Sequence, residues 1–152
     1  MKKIFFAGTF NPFTKGHADI ALRILEIADK VTIGLGVNID KPSSAKQAEE
    51  NTRLIEDWAA AHGLTERVEI VTYTTLTAEE AKKRGATCLA RGVRNASDFD
   101  YEYALAAFNR DAFGIDTILI PAAPEDSFIS SSAIRDLQAH GRHDLAEKYL
   151  PK

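Results

Sequence analysis

Apolar positions along the chain fall into two alternating rhythms. The run from Lys3 to Ala7 is almost wholly apolar and stops at Gly8-Thr9-Phe10-Asn11-Pro12, which predicts a buried first strand ending in a loop. From His17, residues Ile20, Ala21, Ile24, Leu25 and Ala28 recur every three or four positions with Asp19, Arg23 and Glu26 between them. That spacing predicts an amphipathic helix. Val31, Ile33, Leu35 and Val37 alternate with smaller or polar residues as a second strand, and the polar stretch 38–44 reads as a loop. Gln47 to His62 predicts a helix capped by Gly63, with Leu54, Ile55, Trp58 and Ala59 on one face. Val68 to Val71 is a third strand, Leu76 to Arg84 a short helix ending at Gly85, and Cys88-Leu89-Ala90 a fourth strand ending at Arg91-Gly92.

A long helix follows to Phe113, with Ser97 its predicted N-cap, Phe99, Tyr103 and Ala106 along it, and Gly114 at its end. Thr117 to Ile120 is strand five. After Pro121 and Pro124, Ser130-Ser131-Ser132 leads into a helix through Ile134 and Leu137, and a last helix runs from Asp144 to about Tyr149. Strands alternating with helices imply a parallel sheet covered on both faces. The fold class is α/β: a single-domain, Rossmann-like doubly wound fold with a five-stranded parallel sheet, spanning residues 1–152. In such folds a ligand lies beyond the C-terminal strand ends.

Composition narrows the class. Of 152 residues, 45% are hydrophobic and 27% charged, a globular balance that excludes a disordered chain. The net charge of -3 gives no broad footprint for nucleic acid or an anionic membrane. Cys88 is the single cysteine, so neither an intrachain disulfide nor a cysteine metal cluster can form. Asn11, Lys15, His17 and Asp19 interrupt any signal-peptide core after the first apolar run, and the expected location is the cytoplasm.

Three strand ends carry chemistry suited to phosphate. The first loop offers Gly8, Thr9, Gly16 and a histidine, His17, entering a helix where free N–H groups attract anions. Taken alone, His17 also fits a half-exposed histidine in a glycine turn. After strand four, Arg91-Gly92-Val93-Arg94 places two arginine forks around a glycine; they suit phosphate, or ion pairs with Asp98, Asp100 or Glu102. After strand five, the serines and the helix N-terminus behind them suit phosphate, or simple capping. Their joint occurrence at the ligand edge favours a polyphosphate site. Walker and dinucleotide fingerprints and a serine nucleophile elbow are lacking. His62, His140 and His143 lie near helix ends without spaced partners, and Cys88 reads as a buried, inert thiol.

The string Gly8-Thr9-Phe10-Asn11-Pro12-Phe13-Thr14-Lys15-Gly16-His17 resembles the T/H-x-G-H signature of the nucleotidyltransferases. With Arg91-Gly92-Val93-Arg94, Asp98-Phe99-Asp100-Tyr101-Glu102, Asn109-Arg110 and Ile129-Ser130-Ser131-Ser132, nearly the whole chain is similar to the phosphopantetheine adenylyltransferase family. The resemblance implies transfer of AMP from ATP to 4′-phosphopantetheine, with Mg²⁺; since no cluster of carboxylates accompanies the phosphate loops, that Mg²⁺ is expected on the ATP phosphates and water, with no protein ligand named. It implies catalytic roles for His17, Lys41 and Arg91. For ATP it implies Thr9, Phe10, His17, Gly92, Val93, Arg94, Glu102, Asp126, Ser127, Phe128, Ile129, Ser130, Ser131 and Ser132; for the acceptor, Thr9, Lys41, Leu76, Thr77, Arg91 and Asn109. It also implies a homohexamer and feedback inhibition by coenzyme A. Asn11 stands where the family usually has Asp, and Thr77 where it commonly has an apolar residue against the pantetheine arm. Rival readings are a nucleotidyltransferase acting on nicotinate mononucleotide or an alcohol phosphate, and a nucleotide sensor without turnover.

Overall fold

The computed structural model describes all of residues 1–152. Five strands, β1 (Lys3–Gly8), β2 (Lys30–Gly36), β3 (Val68–Tyr73), β4 (Cys88–Val93) and β5 (Thr117–Pro121), form one parallel sheet in the order β3-β2-β1-β4-β5. The helices are α1 (Lys15–Ile27), α2 (Ser44–Ala61), α3 (Thr77–Lys83), α4 (Ala96–Phe113), α5 (Ser131–Ala139) and α6 (His143–Ala146), with 3₁₀ turns at Pro124–Asp126 and Glu147–Tyr149. The doubly wound α/β fold predicted from the alternation is therefore the one formed.

Side-chain alternation along the strands builds two cores. Ile4 and Phe6 of β1, with Val31, Ile33 and Leu35 of β2, pack under α1 and α2, where Ile20, Ile24, Ile55 and Trp58 meet them. Phe5 and Ala7 face the other way, joining Leu89, Val71, Ala78, Ala81 and Ile115 beneath α3. A period of two thus splits one strand between two layers. A smaller cluster of Ile129, Ile134 and Ala146, with Leu137, Tyr149 and Leu150 against it, seats α5 and α6. No helix is long and apolar enough to cross a membrane.

Three predicted boundaries are corrected. β4 does not stop at Ala90: Arg91, Gly92 and Val93 stay in the sheet opposite Leu119, Ile120 and Pro121. Backbone pairing to a neighbouring strand tolerates an arginine whose head projects from the strand end. The cap of α4 is Asn95, whose side chain accepts from the Asp98 N–H, so Ser97 lies inside the helix. The last predicted helix divides into α6 and a 3₁₀ turn. Gly63 and Gly114 end α2 and α4 with positive φ, as their positions suggested.

Candidate active site

The order of the strands reverses between β1 and β4, and a cavity of about 390 Å³ opens at their C-terminal ends. Its wall comes from Ala7 and Gly8 of β1, Thr9 and Phe10 of the following loop, Gly16 and His17 of α1, and Arg91 and Gly92 of β4. Arg94, Asp98 and Glu102 close one side, and Asp126 with Ile129 to Ser132 and Arg135 the other. The three anion-suited segments read from the sequence therefore meet in one hollow.

The first loop is shaped by its own short-range bonds. Thr14 caps α1: its hydroxyl accepts the His17 N–H at 3.2 Å, and its own N–H donates to His17 Nδ1 at 3.0 Å. With Nδ1 accepting, the imidazole is the neutral tautomer whose proton sits on Nε2. Three phenylalanines surround it. Phe10 meets the imidazole edge-on with centroids 4.9 Å apart, Phe13 stacks at 5.7 Å and Phe6 lies 6.4 Å away. Burial in this apolar setting, helped by the positive charges of Arg94 and Arg91, lowers the His17 pKa from 6.5 to about 4. Phe10 holds a positive φ of 48°, its ring lies against Gly8, and the residue is part of the cavity wall. A Cβ on Gly8 would stand 3.0 Å from that ring. Asn11 turns toward α2, donating to Gln47 and accepting from buried Asn51 at 3.1 and 3.2 Å.

Both arginines are ion-paired. Arg91 grips Glu102 through Nε and Nη2, at 2.9 and 2.8 Å, and its Nη1 donates to the Ala7 carbonyl. Arg94 contacts Asp98 at 3.2 Å and donates from Nη1 to the Ile129 carbonyl at 2.8 Å. The ion pairs that the sequence allowed are formed, with Glu102 and Asp98, and both arginines line the cavity. Gly92 serves a contact the sequence did not show: a Cβ there would stand 3.4 Å from Ile20.

The serine segment is fastened from both ends. Ser130 caps α5 by accepting the Ala133 N–H, Ser131 donates to the Pro12 carbonyl at 2.8 Å, and Arg135 donates to the Asn11 carbonyl. Capping and proximity to the cavity again coexist. Burial and nearby Asp19 raise the pKa of Asp126. Arg135 escaped the sequence reading, although it follows Ser131 by four residues and so shares its helix face.

Other candidates lie outside the cavity wall. Lys41 and Leu76 are exposed, and the Thr77 hydroxyl pairs with that of Tyr73 at 2.9 Å. Asn109 is buried further along α4, while Val93, Ser127 and Phe128 flank the cavity without lining it. Cys88 is buried, which raises its pKa, and His62, His140 and His143 are exposed.

The cytidylyltransferase-like family matches residues 5–137. A phosphopantetheine adenylyltransferase of Porphyromonas gingivalis is 42% identical over 149 residues, covering 97% of this chain and 92% of that one. The chain belongs to the phosphopantetheine adenylyltransferase family. The enzyme of that name from Flavobacterium johnsoniae is 40% identical over 93% of this chain and 90% of its own, and that from Bacteroides thetaiotaomicron 34% identical over 100% and 97%. Among solved structures, a bifunctional NMN adenylyltransferase/ADP ribose pyrophosphatase from Francisella tularensis superposes with a TM-score of 0.66 at 20% identity, covering 92% of this chain and 42% of that one. A Plasmodium falciparum nicotinic acid mononucleotide adenylyltransferase gives 0.63 at 15% identity, over 99% and 91%. These two share the fold.

Proposed function

We propose that the chain transfers the adenylyl group of ATP to 4′-phosphopantetheine, giving dephospho-coenzyme A and pyrophosphate, by in-line attack of the acceptor phosphate on the α-phosphate. The observation that carries this reading is the convergence of His17, Arg91, Arg94 and the α5 N-terminus on one cavity in a member of this family. The acceptor phosphate has a second pKa of about 6, so it is a competent nucleophile near neutral pH without a general base. His17, with Nδ1 engaged and its pKa depressed, is built to donate from Nε2 rather than to take a proton. Its place is on the α-phosphate as charge accumulates in the transition state.

Thr9 and the Phe10 backbone orient the reacting phosphates, Arg91 and Lys41 hold the acceptor phosphate, and Arg94 with Gly92 lines the nucleotide. Ser130 to Ser132, at the positive end of the α5 dipole, and Arg135 a turn further along receive the β- and γ-phosphates. Lys41 is exposed on the loop after β2, outside the cavity wall, and its place in this reading rests on the family resemblance. No group of three His, Cys, Asp or Glu side chains is placed to hold a metal; of the cavity carboxylates, Asp98 and Glu102 pair with arginines and Asp126 stands without an arginine partner. Mg²⁺, where used, would be held chiefly by the ATP phosphates and water, and would supply charge neutralisation there.

A hexamer and inhibition by coenzyme A belong to the same proposal. The outward face of α4, with Tyr101, Tyr103 and Phe108 each more than 60% exposed, supports assembly. Coenzyme A carries the acceptor arm and an adenine nucleotide together and would fill both halves of the site. The deciding experiment is mass spectrometry of a reaction containing ATP, Mg²⁺ and 4′-phosphopantetheine, with nicotinate mononucleotide in parallel. Dephospho-coenzyme A with matching pyrophosphate is the expected result. Adenylylation of nicotinate mononucleotide alone would replace the acceptor, and no product from either would leave a nucleotide sensor.

A further inference from the structure

Three arginines line the cavity, and two of them are paired with carboxylates, Arg91 with Glu102 and Arg94 with Asp98. Arg135 has no carboxylate within ion-pair distance; its Nη1 donates instead to a carbonyl, that of Asn11 in the loop after β1. A neutral carbonyl fixes one end of the guanidinium fork and leaves its positive charge whole, whereas a carboxylate fixes the fork and cancels much of the charge. The remaining donors of Arg135 therefore keep their attraction for an anion.

That carbonyl is itself held. Asn11 stands outside the cavity wall, and both ends of its side-chain amide are taken by α2: Nδ2 donates to Gln47 Oε1 at 3.1 Å, and Oδ1 accepts from Asn51 Nδ2 at 3.2 Å. Asn51 is only 6% exposed, and Asn11 is the acceptor that its amide meets. The next carbonyl, of Pro12, accepts the Ser131 hydroxyl at 2.8 Å. The dipeptide Asn11-Pro12 thus grips α2 with a side chain and α5 with two carbonyls.

We propose that Asn11 is a positioning residue for the triphosphate end of the site: pinned by Gln47 and Asn51, it presents its carbonyl to Arg135 and holds that unpaired guanidinium where the β- and γ-phosphates bind. The inference rests on the placement of those phosphates at α5 made above. A long side chain ordered before the ligand arrives loses less freedom on binding. The amide of Asn11 matters here as an acceptor for buried Asn51. A carboxylate at the same position would still accept from Asn51, and exposed Gln47 can turn its own amide to donate Nε2 to the second oxygen. Aspartate is therefore expected to serve at this position, and alanine is not.

Isothermal titration with ATP and with AMP, each in the presence of Mg²⁺, reads this directly, because only ATP carries β- and γ-phosphates. Asn11→Ala should weaken ATP binding about five- to tenfold and leave AMP within about twofold. In an Arg135→Ala background the same substitution should weaken ATP no further. Asn11→Asp should hold ATP within about twofold of wild type. Gln47→Ala removes one of the two pins at an exposed position and should show the same split more weakly; it carries the test if Asn11→Ala does not fold. Equal weakening of ATP and AMP, or of neither, would overturn the inference, as would a full further loss in the Arg135→Ala background. Asn11→Asp that binds ATP as weakly as Asn11→Ala would overturn it too. The readout is binding, so wild-type protein that binds ATP without forming dephospho-coenzyme A would remove the proposed function and leave this inference standing.

Discussion

Thr14 decides what His17 can do. By donating its backbone N–H to Nδ1, it leaves a single proton on Nε2, and the phenylalanines around the ring keep a second proton away. An imidazole so held offers a neutral donor that strengthens only when negative charge develops in front of it. His17→Asn should therefore lower kcat by about 10² to 10³ with the ATP KM near its wild-type value, as read from initial rates. A large rise in ATP KM with kcat preserved would make His17 a ground-state ligand. The same burial has a cost in acid. Unfolded histidine titrates near 6.5 and folded His17 near 4, so between these values the unfolded chain binds the extra proton. The contribution is fully present above about pH 6.5 and is lost as pH falls toward 4. Thermal melts from pH 7.5 to 4.5 should show a shallower acid loss in His17→Asn than in wild type; parallel curves would contradict the assignment.

At the scale of elements, the glycine with the least room for a side chain lies where β2 passes β1. A Cβ on Gly34 would stand 2.3 Å from Phe5 Cζ and 2.5 Å from its Cε1, and Phe5 is fully buried against Tyr73. Neither ring can yield without disturbing both. Gly34→Ala should cost about 1–3 kcal/mol, lowering Tm by roughly 3–10 °C in a chain of this length, and a melt within 1 °C of wild type would refute it. The crowding could not be read from the sequence, where Gly34 fitted only an alternating strand. β1 and β2 were legible because their apolar runs face cores on both sides or alternate cleanly. The end of β4 was hidden because Arg91 resembles a loop residue, although its backbone pairs with Leu119. Asn95 and Ser97 are both good caps two residues apart, and only the bond to the Asp98 N–H distinguishes them. The cavity followed more readily from the sequence than these boundaries did. Topology dictates where strand ends converge, while a boundary depends on single contacts.

For the molecule as a whole, α4 is the element whose pattern runs against the rest. Its buried residues are Glu102 and Asn109, facing inward with half-buried Asp98, while Phe99, Tyr101, Tyr103, Leu105 and Phe108 face outward. The sequence suggested a helix carrying its aromatics, and the structure turns them to the solvent side because the inward face serves the arginines of the site. Phe99 and Tyr103 stack on each other with centroids 6.1 Å apart. An apolar face of this kind on an otherwise acidic, charged chain favours contact with another apolar face. A second copy of the chain would supply one, and an assembly there would sit on the far side of α4 from Glu102 and from the arginine proposed to hold the acceptor. Light scattering after size exclusion should find wild type well above monomer mass. Replacing both Tyr103 and Phe108 by Glu should shift it to smaller species while circular dichroism keeps the helical signal. A wild-type monomer, or a double variant with undiminished mass, would remove α4 from the interface. If the smaller species also binds acceptor more weakly at unchanged ATP affinity, assembly through α4 supports the acceptor half of the site.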